Sequence, residues 1–214
     1  MKLYDYAYSS AGYRVRIAMN LKGIPFERAP IHLVKDGGQQ HSAAYKAVNA
    51  QELVPTLETD GHLIGQSLAI IEYLDETHPN PPLLPSYPLE RARVRQIAYL
   101  IACEIHAVNN LRMRARLKEL GHTDDEIMAK WYAHWIQVGF TALEQMLSAS
   151  PQTGRFCHGD TPSLADICLV PQMANAYRFK VPVDAFPTLV RIDKTCRALP
   201  AFAAAAPEKQ SDAA

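Results

Sequence analysis

The spacing of apolar and polar residues predicts short, alternating elements in the first eighty residues. Short apolar stretches indicate strands, and apolar positions that recur every three or four residues indicate helices. Glycine and serine near the ends of the helical stretches support these limits, because they stop or cap helices. In chain order we expect a strand at 2–7, a helix at 12–22, a strand at 26–33, a weak helix at 42–48, strands at 56–59 and 62–64, and a helix at 67–77.

The dipeptide Asp60-Gly61 separates the last two strands and predicts a tight hairpin, because both residues tolerate a positive φ. The first two strands are joined by a helix and should instead be parallel. The order β-α-β-α-β-β-α therefore predicts a small mixed sheet with helices on its faces. Such an arrangement is typical of a thioredoxin-like domain.

A proline-rich stretch at residues 79–88 marks a boundary in the chain. It holds five prolines, each of which removes a backbone donor and favours an extended residue before it. We interpret residues 80–88 as a linker between a first domain at 1–79 and a second domain at 89–214.

The pattern after the linker is helical throughout and predicts an all-α second domain. Ser163 and Asp166 have the spacing of an N-terminal cap, so we interpret the Asp166 carboxylate as structural rather than catalytic. The expected elements are a helix at 90–117, a helix from a capping box at 123–126 to about 147, an apolar central helix over 167–173, a helix at 187–199 and a frayed tail at 203–214.

Composition and charge limit the function further. The 214 residues include 22 basic and 22 acidic side chains, so the formal net charge is zero. This balance argues against a nucleic-acid or anionic-membrane partner. No apolar run is long enough for a membrane span, and the N-terminus lacks the apolar core of a signal peptide, so we expect a cytoplasmic protein. The four cysteines are far apart and no histidines have metal-ligand spacing, so we expect no metal.

Six segments carry specific motifs. They are Ser9-Ser10-Ala11-Gly12-Tyr13-Arg14-Val15-Arg16-Ile17-Ala18, Asp36-Gly37-Gly38-Gln39-Gln40, Val54-Pro55-Thr56-Leu57, Gln66-Ser67-Leu68-Ala69-Ile70-Ile71-Glu72-Tyr73-Leu74, Gly159-Asp160-Thr161-Pro162-Ser163-Leu164-Ala165-Asp166 and Arg178-Phe179-Lys180-Val181. In this order and at these separations, they resemble the cytosolic glutathione transferases, and within them the zeta class, which includes the maleylacetoacetate and maleylpyruvate isomerases. The resemblance covers most of the chain. It implies a glutathione-binding thioredoxin-like domain and a helical domain that carries the substrate pocket.

Ser9 and Ser10 lie between a predicted strand and a predicted helix, where the residues alone indicate an N-cap. The resemblance implies that they stabilise the thiolate of glutathione, because a helix N-terminus and a hydroxyl donor both favour an anion. The family usually has a cysteine where this chain has Ala11, which leaves the role to the two serines. Tyr8 is an alternative, since other classes use an N-terminal tyrosine, and it is also a candidate for the wall of the substrate pocket.

Further glutathione contacts follow from the resemblance. A cis Val54-Pro55 bond is implied, and it would expose backbone groups that bind the cysteinyl part. The N-terminus of the helix at Ser67, with the Gln66 amide beside it, is implied to bind the γ-glutamyl carboxylate. Gln40 is implied to contact the glycyl end. From the residues alone, Ser67 is a helix cap and Gln40 an ordinary loop residue.

Polar residues of the long second-domain helix form another candidate group. His106, Asn109 and Asn110 are at i, i+3 and i+4, so a continuous helix would direct all three the same way. We assign them to glutathione binding, on contacts that the resemblance implies at His106 and Asn110. A solvated helix face is the alternative. Arg112 we interpret mainly as surface charge, with the substrate as a further candidate partner.

Arg178 follows the apolar central helix. The resemblance assigns it to a substrate carboxylate, which the planar guanidinium fits, whereas the residue alone indicates a surface ion pair. Arg14 in the first helix is a second candidate for binding a carboxylate, and a structural ion pair is equally compatible with its position.

The resemblance implies a glutathione-dependent cis–trans isomerase that acts on a maleyl dicarboxylic keto acid. The thiolate would add to the cis double bond, the new single bond would rotate, and elimination would give the fumaryl isomer with glutathione regenerated. The alternatives are a conjugating or dehalogenating transferase and a non-catalytic binding module of the same fold. The family usually forms homodimers, and we expect the same here. The choice between maleylacetoacetate and maleylpyruvate stays open.

Overall fold

The computed structural model describes residues 1–213, which divide into two compact units. The first unit consists of Met1–Leu83 together with the described residues from Ala198 onward, and the second is Leu84–Arg197. The boundary after Leu83 lies inside the proline-rich stretch. The C-terminal residues belong to the first unit, which differs from the sequence prediction of a second domain at 89–214.

The first unit is built on a mixed sheet. Its strands are β1 (Lys2–Asp5), β2 (Glu27–Pro30), β3 (Thr56–Thr59) and β4 (His62–Gly65), in the spatial order β2-β1-β3-β4. β1 pairs parallel to β2 and antiparallel to β3, and β3 pairs antiparallel to β4. The predicted order of elements along the chain, the parallel pairing of the first two strands and the antiparallel hairpin are confirmed, although β1 and β2 are shorter than predicted.

Helices of the first unit pack beside this sheet. Three of them precede the proline-rich stretch: α1 (Ser10–Leu21), α2 (Ala43–Val48) and α3 (Ser67–Thr77), of which α1 and α3 pack against each other. The core combines apolar side chains of α1, α3 and the sheet that are at most 1% exposed: Leu3, Val15, Ile17, Met19, Leu57, Ile70, Ile71 and Leu74. This burial explains the helical spacing of apolar residues in the sequence.

The second unit is helical. Its α-helices are α4 (Pro88–Tyr99), α5 (Leu111–Glu119), α6 (Asp125–Ser148), α7 (Leu164–Arg178) and α8 (Pro187–Arg197). α7 packs against both α4 and α8, and every residue from Leu164 to Met173 is buried. The prediction of a central apolar helix is therefore confirmed. Among the helices of residues 1–213, none is long and apolar enough to cross a membrane.

The helix predicted over residues 90–117 is interrupted. After α4, a π-helical segment covers Leu100–Ile105 and a 3-10 turn covers Ala107–Asn109. Asn110 is extended, with ψ of 152°, and its side chain accepts the N–H of Arg112 at 3.2 Å. An asparagine that hydrogen-bonds the backbone in this way caps a new helix instead of continuing the previous one. The prediction of one continuous helix is therefore wrong.

Two predicted helix caps have different outcomes. α7 begins with the predicted capping box, in which the N–H and O–H of Ser163 donate to Oδ2 of Asp166 at 2.8 and 2.9 Å. α6 is capped by Asp124, whose Oδ1 accepts two first-turn N–H groups, and not by Thr123 as predicted. Both aspartate and threonine are good caps, so the local sequence did not discriminate between neighbouring positions.

The C-terminal residues are folded, which contradicts the prediction of a frayed tail. Helix α9 (Pro200–Ala205) packs against α1, and Ala205 is 1% exposed. Nε of Arg16 donates to the Ala205 carbonyl at 3.0 Å, and Nδ2 of Asn20 donates to the Ala201 carbonyl at 3.0 Å. Polar side chains of α1 therefore hold an alanine-rich segment in the first unit.

Candidate active site

The N-terminus of α1 places Ser9 at the cap position and Ser10 as the first helical residue. Oγ of Ser9 accepts the N–H of Gly12 at 3.1 Å. Because Oγ is the acceptor in this bond, the hydroxyl hydrogen remains available to donate to an anion in front of the helix. Ser9 is partly exposed, whereas Ser10 is only 6% exposed. The geometry therefore favours Ser9 over Ser10 as the hydroxyl that contacts a ligand.

A buried ionic network supports the loop between β1 and α1. Asp5 is fully buried and pairs with Nη1 of Arg16, and it accepts from Nε and Nη2 of Arg28 at 2.9 and 2.6 Å. Arg16 also donates to the carbonyl oxygens of Tyr6 and Ala7 at 3.3 and 2.9 Å. Burial lowers the pKa of Arg16, and the neighbouring Asp5 carboxylate opposes that effect. The network therefore fixes the chain that leads into α1.

The last described residues reach the same loop. Oδ2 of Asp212 accepts the N–H of Ala7 at 2.9 Å, and Oδ1 lies 3.0 Å from Nη1 of Arg28. Burial acts to raise the pKa of Asp212, but the Ala7 N–H and the Arg28 guanidinium outweigh it and hold that pKa below its usual value. The hydroxyl of Tyr8 donates to the Ala213 carbonyl at 3.0 Å. The C-terminus is thus bound to the loop at two points.

The hydrogen bond from Tyr8 to Ala213 bears on the two roles considered for Tyr8, stabilising the thiolate and contacting the substrate. A hydroxyl that donates to a carbonyl is not directed at a thiolate, so the structure does not support Tyr8 as the thiolate stabiliser. Its ring packs with that of Tyr6 at a centroid distance of 5.9 Å, against the buried cluster of Tyr6, Tyr45 and Val54. Contact between Tyr8 and the substrate stays a prediction.

The N-terminus of α3 is a second polar helix end in this unit. Gln66 occupies the cap position with φ of 67°, and Ser67 is the first helical residue, so the prediction of Ser67 as the cap is wrong. Oγ of Ser67 accepts from Nη1 of Arg14 at 3.3 Å, and the Gln66 amide donates to Gln51 at 2.8 Å. A guanidinium beside a helix N-terminus attracts a carboxylate. Arg14 is only 2% exposed, which does not fit the direct contact with the substrate considered above.

The remaining first-unit candidates are Gln40 and the Val54-Pro55 bond, which is cis as the resemblance implied. Gln40 is 9% exposed, and its Nε2 donates to the Leu33 carbonyl at 3.4 Å. Within the described structure, Oε1 of Gln40 is buried without a hydrogen-bond partner. An oxygen with so little exposure is not open to a ligand in this conformation, so a contact between Gln40 and glutathione stays a prediction.

In the second unit, Arg178 ends α7 and is exposed. Its guanidinium carbon lies 5.5 Å from the ring centroid of Phe179, and that of Arg114 lies 5.7 Å from the same centroid. Phe179 also packs against Tyr132, with ring centroids 4.2 Å apart. Burial raises the pKa of Tyr132, and the two arginines act in the opposite direction. Two positive charges therefore flank one aromatic ring, which suits a substrate carboxylate.

The polar residues predicted to share one helix face are separated by the helix break. Asn109 is 7% exposed and its Nδ2 donates to the Tyr132 carbonyl at 3.3 Å, which does not fit a glutathione contact. Asn110 caps α5. His106 is partly exposed and Arg112 is exposed, so both remain candidates for ligand binding.

Sequence reasoning missed Arg16 and Asp212 as parts of the site. No role was predicted for Arg16, and Asp212 lies in the segment that was predicted to be a frayed tail. Two arginines within an otherwise apolar helix were a usable signal for Arg16, because a buried charge needs a buried partner. Asp212 had no comparable local signal.

Comparison with known proteins agrees with this geometry. Residues 3–82 match the family model for the glutathione S-transferase N-terminal domain. The probable maleylacetoacetate isomerase of Vibrio cholerae is 50% identical over 213 residues, which cover 99% of this chain and 97% of that protein. A holo structure of maleylpyruvate isomerase, a bacterial zeta-class enzyme, has a TM-score of 0.97 at 43% identity and covers 100% of both chains. Maleylacetoacetate isomerase from Methylobacterium extorquens, with bound malonate and glutathione, has a TM-score of 0.94 at 41% identity and 98% coverage of each chain.

A thioredoxin-like unit with a helical unit is the architecture of a glutathione transferase. The chain belongs to the zeta class of this family, the class of the maleylacetoacetate and maleylpyruvate isomerases.

Proposed function

We infer that the protein is a glutathione-dependent isomerase that converts a maleyl dicarboxylic keto acid, maleylacetoacetate or maleylpyruvate, into its fumaryl isomer. The observation that carries this inference is similarity to such isomerases over the full length of both chains. A serine-capped helix N-terminus at the end of β1 supports it, because this is the environment that a reactive thiolate requires.

When bound, glutathione supplies a thiolate that adds reversibly to the cis double bond and so permits rotation about it. We assign Ser9 to donate its hydroxyl hydrogen to the sulfur, because its Oγ already accepts the Gly12 N–H. Ser10 is the second candidate. The N-terminus of α1 adds a partial positive charge. Both effects favour the anion over the thiol, so a larger fraction is reactive at neutral pH.

The first unit also contains groups that fit the rest of the tripeptide. We assign the γ-glutamyl carboxylate to the N-terminus of α3, where Ser67 hydrogen-bonds the Arg14 guanidinium and Gln66 lies alongside. The backbone of Val54, before the cis bond, is assigned to the cysteinyl part. Gln40 is assigned to the glycyl end, as the resemblance implied. These residues orient the cofactor, and the chemistry depends on the α1 end.

The second unit is assigned to the keto acid. Arg178 is the proposed carboxylate ligand, because the residue is exposed and its guanidinium lies beside the Phe179 ring. Arg112 is a further candidate for this role, whereas His106 stays a candidate contact of glutathione. Such a ligand holds the dicarboxylate in one orientation, which lowers the entropic cost of the reaction.

We also propose that the enzyme acts as a homodimer in the cytoplasm. The family relation supports the dimer. Free thiols at Cys103, Cys157, Cys168 and Cys196 support a reducing compartment. Light scattering at assay concentration tests the dimer, and a monomer mass would contradict it. Fractionation of the native cells tests the location.

The isomerase assignment is tested by following the ultraviolet absorbance of each maleyl substrate with and without glutathione. We expect turnover to require glutathione while its concentration, measured as free thiol, stays constant. Loss of one thiol per turnover would indicate a conjugating transferase instead. Turnover without glutathione would refute the cofactor assignment. The ratio of kcat/KM for the two keto acids identifies the preferred substrate.

A further inference from the structure

The C-terminal tail, defined as residues 207–213, is bonded to the turn that carries Ser9. We propose that Asp212 is a positioning residue for the isomerase reaction, which holds this turn so that the Ser9 hydroxyl is directed at the thiolate of glutathione. The inference rests on the proposed function, because it concerns the same reaction. It adds a residue near the end of the chain to the support of the site.

The turn itself runs from Tyr6 to Ser9, whose N–H donates to the Tyr6 carbonyl at 2.9 Å. Within it, the Ala7 N–H donates to Asp212 at 2.9 Å, and the Ala7 carbonyl accepts from Arg16 at 2.9 Å. Asp212 and Arg16 therefore hold opposite edges of the Ala7 residue. These two groups belong to successive peptide units of the turn. Loss of Asp212 removes one restraint on the Tyr6–Ala7 peptide, whose carbonyl is still bound by Ser9 and Arg16, and we infer that the turn and the Ser9 cap become less rigid.

The tail is fixed well enough to act as this support. The carboxylate of Asp212 is 11% exposed and lies 3.0 Å from Arg28, which also binds the buried Asp5. Gln210 donates from Nε2 to the Ala204 and Ala206 carbonyls at 3.0 and 2.9 Å. Asp212 is thus connected on one side to the core of β1 and on the other to α9.

The charge of Asp212 persists under assay conditions. Its pKa is held below the usual value by the Ala7 N–H and Arg28, against the effect of burial, so the carboxylate is ionised at neutral pH. The support is therefore expected at neutral pH. Substitution, and not a change of pH, is the perturbation that reveals it.

Two substitutions separate the hydrogen bond that Asp212 accepts from Ala7 from its charge interaction with Arg28. Asp212→Ala removes both the acceptor for the Ala7 N–H and the charge beside Arg28. Asp212→Asn retains an acceptor oxygen and loses the charge, so it is the milder change. Asp75→Ala is the matched control, because Asp75 also accepts a backbone N–H, from Leu83 at 2.8 Å, and pairs with a cation, Lys22 at 2.8 Å, in the same unit.

The first measurement is the acidic limb of the rate–pH profile, which reports the pKa of bound glutathione. We expect Asp212→Ala to move it upward by about half a pH unit or more, equal to about threefold less thiolate at lower pH. Asp212→Asn should move it less, and Asp75→Ala should leave it in place. The proposal is overturned if Asp212→Ala leaves the acidic limb unchanged, or if Asp75→Ala moves it by the same amount. If Asp212→Ala unfolds below the assay temperature, Asp212→Asn decides between the same outcomes.

The second measurement is amide hydrogen exchange in residues 6–12 without glutathione. Faster exchange in Asp212→Ala than in Asp75→Ala supports the proposed restraint, and equal exchange refutes it. Ser9→Ala separates a failure of the positioning role of Asp212 from a failure of the proposed thiolate chemistry. If Ser9→Ala moves the limb and Asp212→Ala does not, the positioning role is wrong and the proposed function stands. If Ser9→Ala leaves the limb in place, the thiolate role of Ser9 is wrong, whereas exchange still decides whether Asp212 restrains the turn.

Discussion

Ser9→Ala is the substitution that tests the proposed chemistry most directly. It removes two interactions of one hydroxyl: the acceptor for the Gly12 N–H at 3.1 Å and the donor assigned to the thiolate. Loss of a serine N-cap lowers the free energy of unfolding by about 0.5–2 kcal/mol. Loss of a hydrogen bond to a charged group costs about 1.5–3 kcal/mol. The latter corresponds to a rise of about one to two units in the pKa of bound glutathione.

The chain contains a matched control for the capping effect. Ser42 caps α2 with the same geometry, because its Oγ accepts the Tyr45 N–H at 3.2 Å. Ser42→Ala should therefore reduce stability by a similar amount without changing the pKa of bound glutathione. The melting temperatures of both variants measure the loss of the helix cap. The pKa of bound glutathione measures the loss of the hydrogen bond to the thiolate.

The pKa of bound glutathione is measured as the ultraviolet absorbance of its thiolate against pH, and again as the acidic limb of turnover. We expect both curves to move to higher pH in Ser9→Ala, because a group that stabilises the charged form has been removed. Curves that coincide with those of Ser42→Ala would refute the role of Ser9. A shift in Ser10→Ala alone would transfer the role to Ser10.

Three further predictions concern the second unit. Asp166→Ala should lower the free energy of unfolding by about 1–3 kcal/mol for each buried N–H left unpaired, with unchanged turnover per folded molecule. Lost turnover at an unchanged melting temperature would contradict the structural role of Asp166. Gly139→Ala should lower the melting temperature, because the new Cβ would overlap the buried Ile105 side chain. The overlap costs about 1–3 kcal/mol, whereas the gain in helix propensity is about 1 kcal/mol. A higher melting temperature would refute this prediction. Arg178→Met should reduce kcat/KM for the keto acid about 10- to 200-fold and leave the affinity for glutathione unchanged; full activity, or an equal loss of glutathione binding, would remove Arg178 from the substrate site.

The order of strands and helices along the chain, two of the strand pairings and several helix ends could be predicted from the sequence because their signals are local. The Asp60-Gly61 turn specifies the β3–β4 hairpin, and the crossover through α1 makes the first two strands parallel. The capping box of Ser163 and Asp166 closes within four residues and needs no distant partner. The motif at Ser9 was recognisable for the same reason, since its elements are adjacent in the chain.

The interruption between α4 and α5 depended on contacts that are remote in sequence. Apolar spacing continues across residues 90–117, so periodicity alone predicted one helix. In the structure, Nδ2 of Asn109 donates to the Tyr132 carbonyl, and Nε1 of Trp131 donates to the Val108 carbonyl at 3.1 Å. These bonds join the segment to α6, which lies some twenty residues later. Only the folded unit brings these groups together.

The charges that support the active-site loop were likewise decided by tertiary structure. Four charged residues come from β1, α1, β2 and the C-terminal tail: Asp5, Arg16, Arg28 and Asp212. Of these, Arg16 alone has a local signal of burial, in the apolar helix around it. A charge is buried at acceptable cost only when an opposite charge and hydrogen-bond partners are buried with it. Those partners meet only after the sheet has formed and the tail has packed beside it. The sequence therefore determined the elements and the position of Ser9, whereas the tertiary structure determined which distant charges hold Ser9 in place.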